Sequence, residues 1–121
     1  MRIVVSERKD GTKEVMVLKL IGKYVGGPDV SGLDEKLFSA IGERKPCILN
    51  LEKCEWLGSS ALSILIFHYK KFKEAGLELV LCSITDKIER ILIISRLKEV
   101  FLCFDSEDEA YRHFCEAQPV A

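Results

Sequence analysis

Apolar positions change their spacing along this chain, and the changes divide it into strands and helices. Residues 3–8 and 14–20 are β-rich and are separated by Asp10-Gly11, a strong hairpin signal, so they predict two antiparallel strands. Residues 22–28 are glycine-rich without the G-x-G-x-x-G order of a dinucleotide site, and are expected to form a loop. Asp29 or Ser31 then starts a helix with Leu33, Leu37 and Ile41 on one face. Pro46 precedes a short apolar run, 47–51, of the kind found in buried parallel strands. The next helix spans 59–75 and carries Leu62, Leu65, Ile66, Tyr69 and Phe72 on its apolar stripe. Lys70, Lys71 and Lys73 suit its negative end, and Gly76 stops it. Residues 79–83 form a second buried strand, and Thr85 caps a helix bearing Ile88, Ile91 and Leu92 that ends near Ser95-Arg96. Residues 100–104 form a last strand. Ser106 and Glu109 make a capping box for a helix with Ala110, Tyr111 and Phe114.

The order is therefore β-β-α-β-α-β-α-β-α, one α/β domain with a mixed, mostly parallel sheet packed with helices. The domain is expected over residues 1–117, with 118–121 as a short C-terminal tail.

Composition narrows the function. The 121 residues suffice for one hydrophobic core, and 48% hydrophobic with 31% charged residues is an ordinary globular balance. A net charge of -1 without a basic stripe argues against direct nucleic-acid binding. No apolar run nears the roughly 18 residues of a membrane span, and the first residues become charged too soon for a signal peptide. The five cysteines, Cys47, Cys54, Cys82, Cys103 and Cys115, are odd in number, widely spaced and lack C-x-x-C, so neither a disulfide framework nor a zinc site is expected. Cys54 and Cys115 are expected to be the more exposed ones. A cytoplasmic protein with reduced thiols follows.

The chemistry concentrates where Ile48-Leu49-Asn50-Leu51 and a short linker lead to Gly58-Ser59-Ser60-Ala61 at the start of a helix. The first helical N–H groups have no internal partner and the dipole is positive there, so the position favours negative charge. Each serine is placed either to cap the helix or to carry a phosphate. A nucleophile elbow, G-x-S-x-G, needs glycine where Leu62 stands. Of the two histidines, His68 lies about 12 Å from Ser60 along the helix axis, too far for a hydrogen bond, and His113 belongs to the last helix. No metal pairing, P-loop or cofactor motif is present, and no enzymatic role is expected.

The segment from Ile48 to Leu62, I-L-N-L-E-K-C-E-W-L-G-S-S-A-L, resembles the core motif of STAS domains, found in bacterial anti-sigma factor antagonists and sulfate transporters. The family pattern is an apolar strand ending in Asp or Asn, a short linker, and D-S-S-G-L opening a helix. The downstream elements also resemble the family's order. The resemblance implies an anti-sigma factor antagonist, with Ser60 as phosphoacceptor. It also implies two partners: an anti-sigma factor that is a serine kinase, and a serine phosphatase that resets the switch. Two positions depart from the motif: Gly58 replaces the aspartate and Ala61 the glycine. Ser59 is then left to supply the cap.

Partner contacts are expected around Gly58, Ser59, Ala61 and Leu62 and along an exposed face at Ile64, Phe67 and His68. Ile93 or Ile94 is left facing solvent or a partner, and Ile93 is the candidate anchor. Trp56 is expected to pack under the linker. The alternative reading is a non-phosphorylated STAS subunit of a transporter-associated or scaffold complex, and a small hydrolase would need an imidazole near Ser60.

Overall fold

The structure, a computed structural model, describes residues 2–10 and 13–116. Six strands form the sheet: β1 (Arg2–Asp10), β2 (Lys13–Tyr24), β3 (Cys47–Asn50), β4 (Cys54–Leu57), β5 (Leu79–Cys82) and β6 (Cys103–Phe104). Among the described residues three helices connect strands, α1 (Pro28–Gly42), α2 (Ser59–Glu74) and α3 (Asp86–Ile94), and α4 (Glu107–Glu116) follows the last strand. β1 and β2 pair antiparallel from Arg2↔Ile21 to Asp10↔Lys13, as the hairpin signal predicts. The linking residues Gly11 and Thr12 lie outside the described residues, as does the expected tail at 118–121. The main path runs β1-β2-β3-β5-β6, and every pair beyond the hairpin is parallel.

Side-chain alternation along the strands separates two apolar layers. Leu18 and Leu20 of β2, Leu49 of β3 and Leu81 of β5 face α1, α2 and α3. Val15, Val17, Ile48, Val80 and Cys82 face the other way, onto Ala110 and Phe114 of α4. The sheet is thus a middle layer with three helices on one side and one on the other. Buried Asn50 ties the end of β3 to α4: its Nδ2 donates to Glu107 Oε1 at 3.1 Å, while its Oδ1 accepts from the Glu52 N–H at 3.0 Å.

Several elements differ from the sequence reading. Residues 22–24, expected in a loop, extend β2 because a strand follows β3 along the same edge. That strand is β4, read from sequence as linker, and it pairs with Gly22, Lys23 and Tyr24 after a register shift between Gly22 and Lys23. The last strand shrinks to Cys103–Phe104, because Leu97–Glu99 winds into a 3-10 turn and Phe101 N–H returns to Leu97 O. α1 begins at Pro28, before Asp29 and Ser31, since proline suits a first helical turn. Cys54, expected to be more exposed, is 3% exposed inside the core, and burial pushes its thiol up to about 11. Thr85 caps α3 as expected, accepting from the Ile88 N–H. At α4 the Glu109 N–H donates to Ser106, while the Glu109 carboxylate reaches Asp105 N–H and not its reciprocal partner.

Candidate functional site

The start of α2 is built by glycines on two sides. Gly58 is its N-cap, with extended backbone and no side-chain cap bond, and the Leu62 N–H donates to Gly58 O at 3.0 Å to close the first helical turn. The N–H groups of Ser59, Ser60 and Ala61 consequently lack an i−4 partner. Neither serine hydroxyl caps the helix, contrary to the expectation for Ser59, because both residues already lie inside the helix. Both are exposed, and neither hydroxyl bonds to another side chain or backbone group among the described residues.

The end of β2 leans against this turn. The Gly58 N–H donates to Tyr24 O at 2.8 Å. A Cβ placed on Gly58 would stand 3.3 Å from both Tyr24 O and Val25 Cα. The site of the family's aspartate is thus occupied by close backbone packing that admits glycine most easily. Tyr24 is itself fixed: its hydroxyl donates to Arg2 O at 2.7 Å, accepts from Ile21 N–H, and is pushed up to about 12 by burial. Gly26 and Gly27 then turn with φ of 154° and 64°, conformations that side chains disfavour. A Cβ on Gly26 would come 4.0 Å from Ser60 Oγ. Gly27, the next residue, is the N-cap of α1, again without a side-chain bond, and Asp29 lies in that helix's first turn.

Along α2 the buried positions are Ala61, Leu65, His68 and Phe72. This corrects the expected stripe, in which Leu62, Ile66 and Tyr69 are only partly buried. It also corrects two expected surface residues. The Ala61 side chain is fully buried and faces the core, away from any partner. His68 is fully buried too, held by Asp34 of α1 at 2.6 Å between His68 Nε2 and Asp34 Oδ1 and enclosed by the rings of Phe38 and Phe67. The helix phase that buries Leu65 and Phe72 carries His68 inward, and Asp34 satisfies one ring nitrogen. Ile64 is partly buried and Phe67 remains 45% exposed.

The other named positions lie on neighbouring surface. Ile93 and Ile94 are both exposed at the end of α3, at 56% and 84%. Trp56 is 42% exposed on β4, where the sequence reading packs it under a linker. Its strand pairing with Lys23 turns it outward, while Leu57 beside it turns into the core. Val25, which packs on Gly58, and Gly26, which approaches Ser60, are not marked by the sequence reading. Their only signal there was the Gly-Gly-Pro run before α1, which reads as an ordinary loop.

The two histidines do not assemble a nucleophile site. His68 is committed to Asp34, and His113 meets Glu78 at the opposite end of the parallel strands from Ser60. Among the described residues there is no His, Cys, Asp and Glu grouping fit for a metal, and no helix is long and apolar enough to cross a membrane.

Comparison with known proteins fits this architecture. The family model of the STAS domain matches residues 7–110. An anti-sigma F factor antagonist of Paenibacillus polymyxa is 27% identical over 71 residues, covering 56% of this chain and 61% of that protein. The chain therefore matches about three-fifths of that relative's length. Among solved structures, an anti-sigma factor antagonist from Mycobacterium paratuberculosis superposes with a TM-score of 0.73 at 18% identity, covering 92% of each chain. The Bacillus cell fate determinant SpoIIAA in its phosphorylated form gives 0.68 at 18% identity, covering 92% of this chain and 99% of that one. At such identities the structural matches establish the fold, whereas the family match spans most of the sequence, and on it this chain belongs to the STAS domain family.

Proposed function

We propose that this domain is an anti-sigma factor antagonist whose binding is switched off by phosphorylation of Ser60. The observation that carries the reading is an exposed Ser60 hydroxyl in the first turn of α2, whose N-terminus has no side-chain cap and whose neighbour across the site is Gly26. A phosphate adds about -1.5 to -2 charges at neutral pH, which helix N-termini accommodate and a packed protein interface does not. The antagonist named among the relatives and the phosphorylated form of a structural neighbour support the same assignment. The partners are an anti-sigma factor acting as serine kinase and a phosphatase that restores the hydroxyl. The work is done in the cytoplasm without catalysis by the domain itself. Ser59, the backbone at Gly58, Ile64, Phe67 and Ile93 are the contact residues, while Ala61 and His68 act from beneath the surface.

The test is incubation of the full chain with ATP and an anti-sigma factor serine kinase from the same organism, read by intact mass and fragment mapping. One added phosphoryl group on Ser60, absent from Ser60→Ala, is the expected result. Stable binding of the kinase without phosphoryl transfer overturns the switch. That outcome would favour the non-phosphorylated scaffold reading, which Gly58 in the aspartate position supports.

A further inference from the structure

β2 is the longest strand, and α4 covers only its first half. On the α4 side of the sheet, Val15 and Val17 are buried beneath Ala110 and Phe114. Further along the same side, Lys19, Lys23 and Val25 are exposed. β4 continues that uncovered face: Lys23 pairs with Trp56, and paired residues of parallel strands point to the same side of a sheet. Tyr24 and Leu57, on the reverse side, are each 1% exposed. The ribbon thus buries one face fully and presents the other to solvent, with Val25 at 59% and Trp56 at 42% exposure. Lys23 and Glu55 rim this apolar pair and form no ion pair among the described residues.

This ribbon is continuous with the Ser60 surface. Val25 follows Tyr24, whose carbonyl accepts from Gly58 N–H, and the Val25 backbone sits against Gly58. Gly26, the next residue, lies against Ser60. Val25 therefore stands at the sheet edge beside Gly58, and Trp56 one strand pair further down the ribbon, so a partner that covers Ser60 and wraps over that edge reaches both. Tryptophan is among the residues most enriched at binding hot spots, which lie inside a polar rim, and exposed Val25 adds apolar area on the same ribbon. We propose that the outer face of the β2–β4 ribbon, anchored by Trp56 and Val25, docks the anti-sigma factor beside Ser60. The inference rests on the proposed function and adds where the binding affinity resides. Phosphorylation at the edge of this apolar anchor places charge where the partner must desolvate.

Trp56 is the only tryptophan of the chain, so it reports on itself. The full chain labelled with 5-fluorotryptophan gives one fluorine resonance, which is followed while adding the kinase that meets the preceding test. A shift of that resonance on binding is expected. Trp56→Ala and Val25→Ser each weaken binding about tenfold or more, with circular dichroism unchanged. Leu102→Ala, exposed beside Glu78 at the end of the sheet opposite Ser60, leaves binding as it was. A kinase that binds while the resonance stays still and both ribbon variants bind normally overturns this inference and leaves the switch intact. A kinase that fails to bind the unsubstituted chain overturns the switch itself, and the ribbon assignment with it.

Discussion

Two residues decide how the start of α2 and its buried face are held, Gly58 and His68. At Gly58 the backbone is extended, so glycine is required by space and not by conformation. Gly58→Ala presses a methyl onto the Tyr24 and Val25 backbone and gives α2 a poor cap. We expect a loss of about 1 kcal/mol and a melting temperature about 3–5 °C lower. Gly58→Asp suffers the same crowding but offers a carboxylate to the free N–H groups, and recovers part of that loss. Equal melting of the alanine variant and the unsubstituted chain would show that the contact constrains nothing. His68 illustrates a different exclusion, since its Nδ1 is buried without a hydrogen-bond partner and only Nε2 is satisfied, by Asp34. Removing Asp34 alone leaves the whole ring unpaired in the core. Asp34→Ala is expected to cost about 1–3 kcal/mol in urea unfolding, and Asp34→Ala with His68→Leu to recover most of it. Additive losses in that cycle would mean that the pair does not interact.

Elements were legible in proportion to how local their signals are. The hairpin, the Thr85 cap of α3 and the burial of Ile88 and Leu92 follow from neighbouring residues, and the structure has them where the pattern puts them. β4 was not legible, because four residues with two adjacent outward positions, Glu55 and Trp56, show no alternation; its strand character comes from pairing with a β2 end read as loop. The phase of α2 differs from its apolar pattern for a similar reason. Its apolar residues cover more than one face, and a histidine in the core is stabilised only by an aspartate 34 residues away. At the site, the exposed serines and the helix start were readable, whereas Val25, Gly26 and the outward Trp56 depend on tertiary approach. A long-range clamp of this kind also links elements elsewhere. Lys45 meets Glu7 of β1, Glu14 of β2 and Glu43 after α1, tying the hairpin to the end of a helix. Glu14 is held below the usual glutamate value of 4.5 by bonding to Lys9 and by the charge of Lys45, and Glu43 by bonding to Lys45 and Ser39. Because the folded values are lowered, this stabilisation is complete above the unfolded value and disappears as pH falls through the lowered ones. The melting temperature should therefore fall between about pH 5 and pH 3, and less steeply in Lys45→Met. A Lys45→Met variant with the same acid slope would place the sensitivity in other carboxylates.

For the molecule as a whole, the question is whether a charge at Ser60 must move the fold in order to act. The core beneath the site is closed: Ala61, Leu65, Leu57 and Tyr24 are essentially inaccessible, and the serine hydroxyls lie outside that packing. Charge at the second helical position meets free N–H groups and a favourable dipole, worth about 0.3–1 kcal/mol in stabilisation. Nothing in that interaction favours a rearranged sheet, so the proposed switch would act on a partner through the altered surface alone. Ser60→Asp should accordingly melt at the same temperature as the unsubstituted chain or up to about 3 °C higher. Its amide chemical shifts should change only near the starts of α1 and α2, while binding to the anti-sigma factor falls by at least about tenfold. Amide shifts spreading through β3, β5 and α4 would instead require the phosphate to work through the fold, with the Asn50–Glu107 bond as the first link to examine.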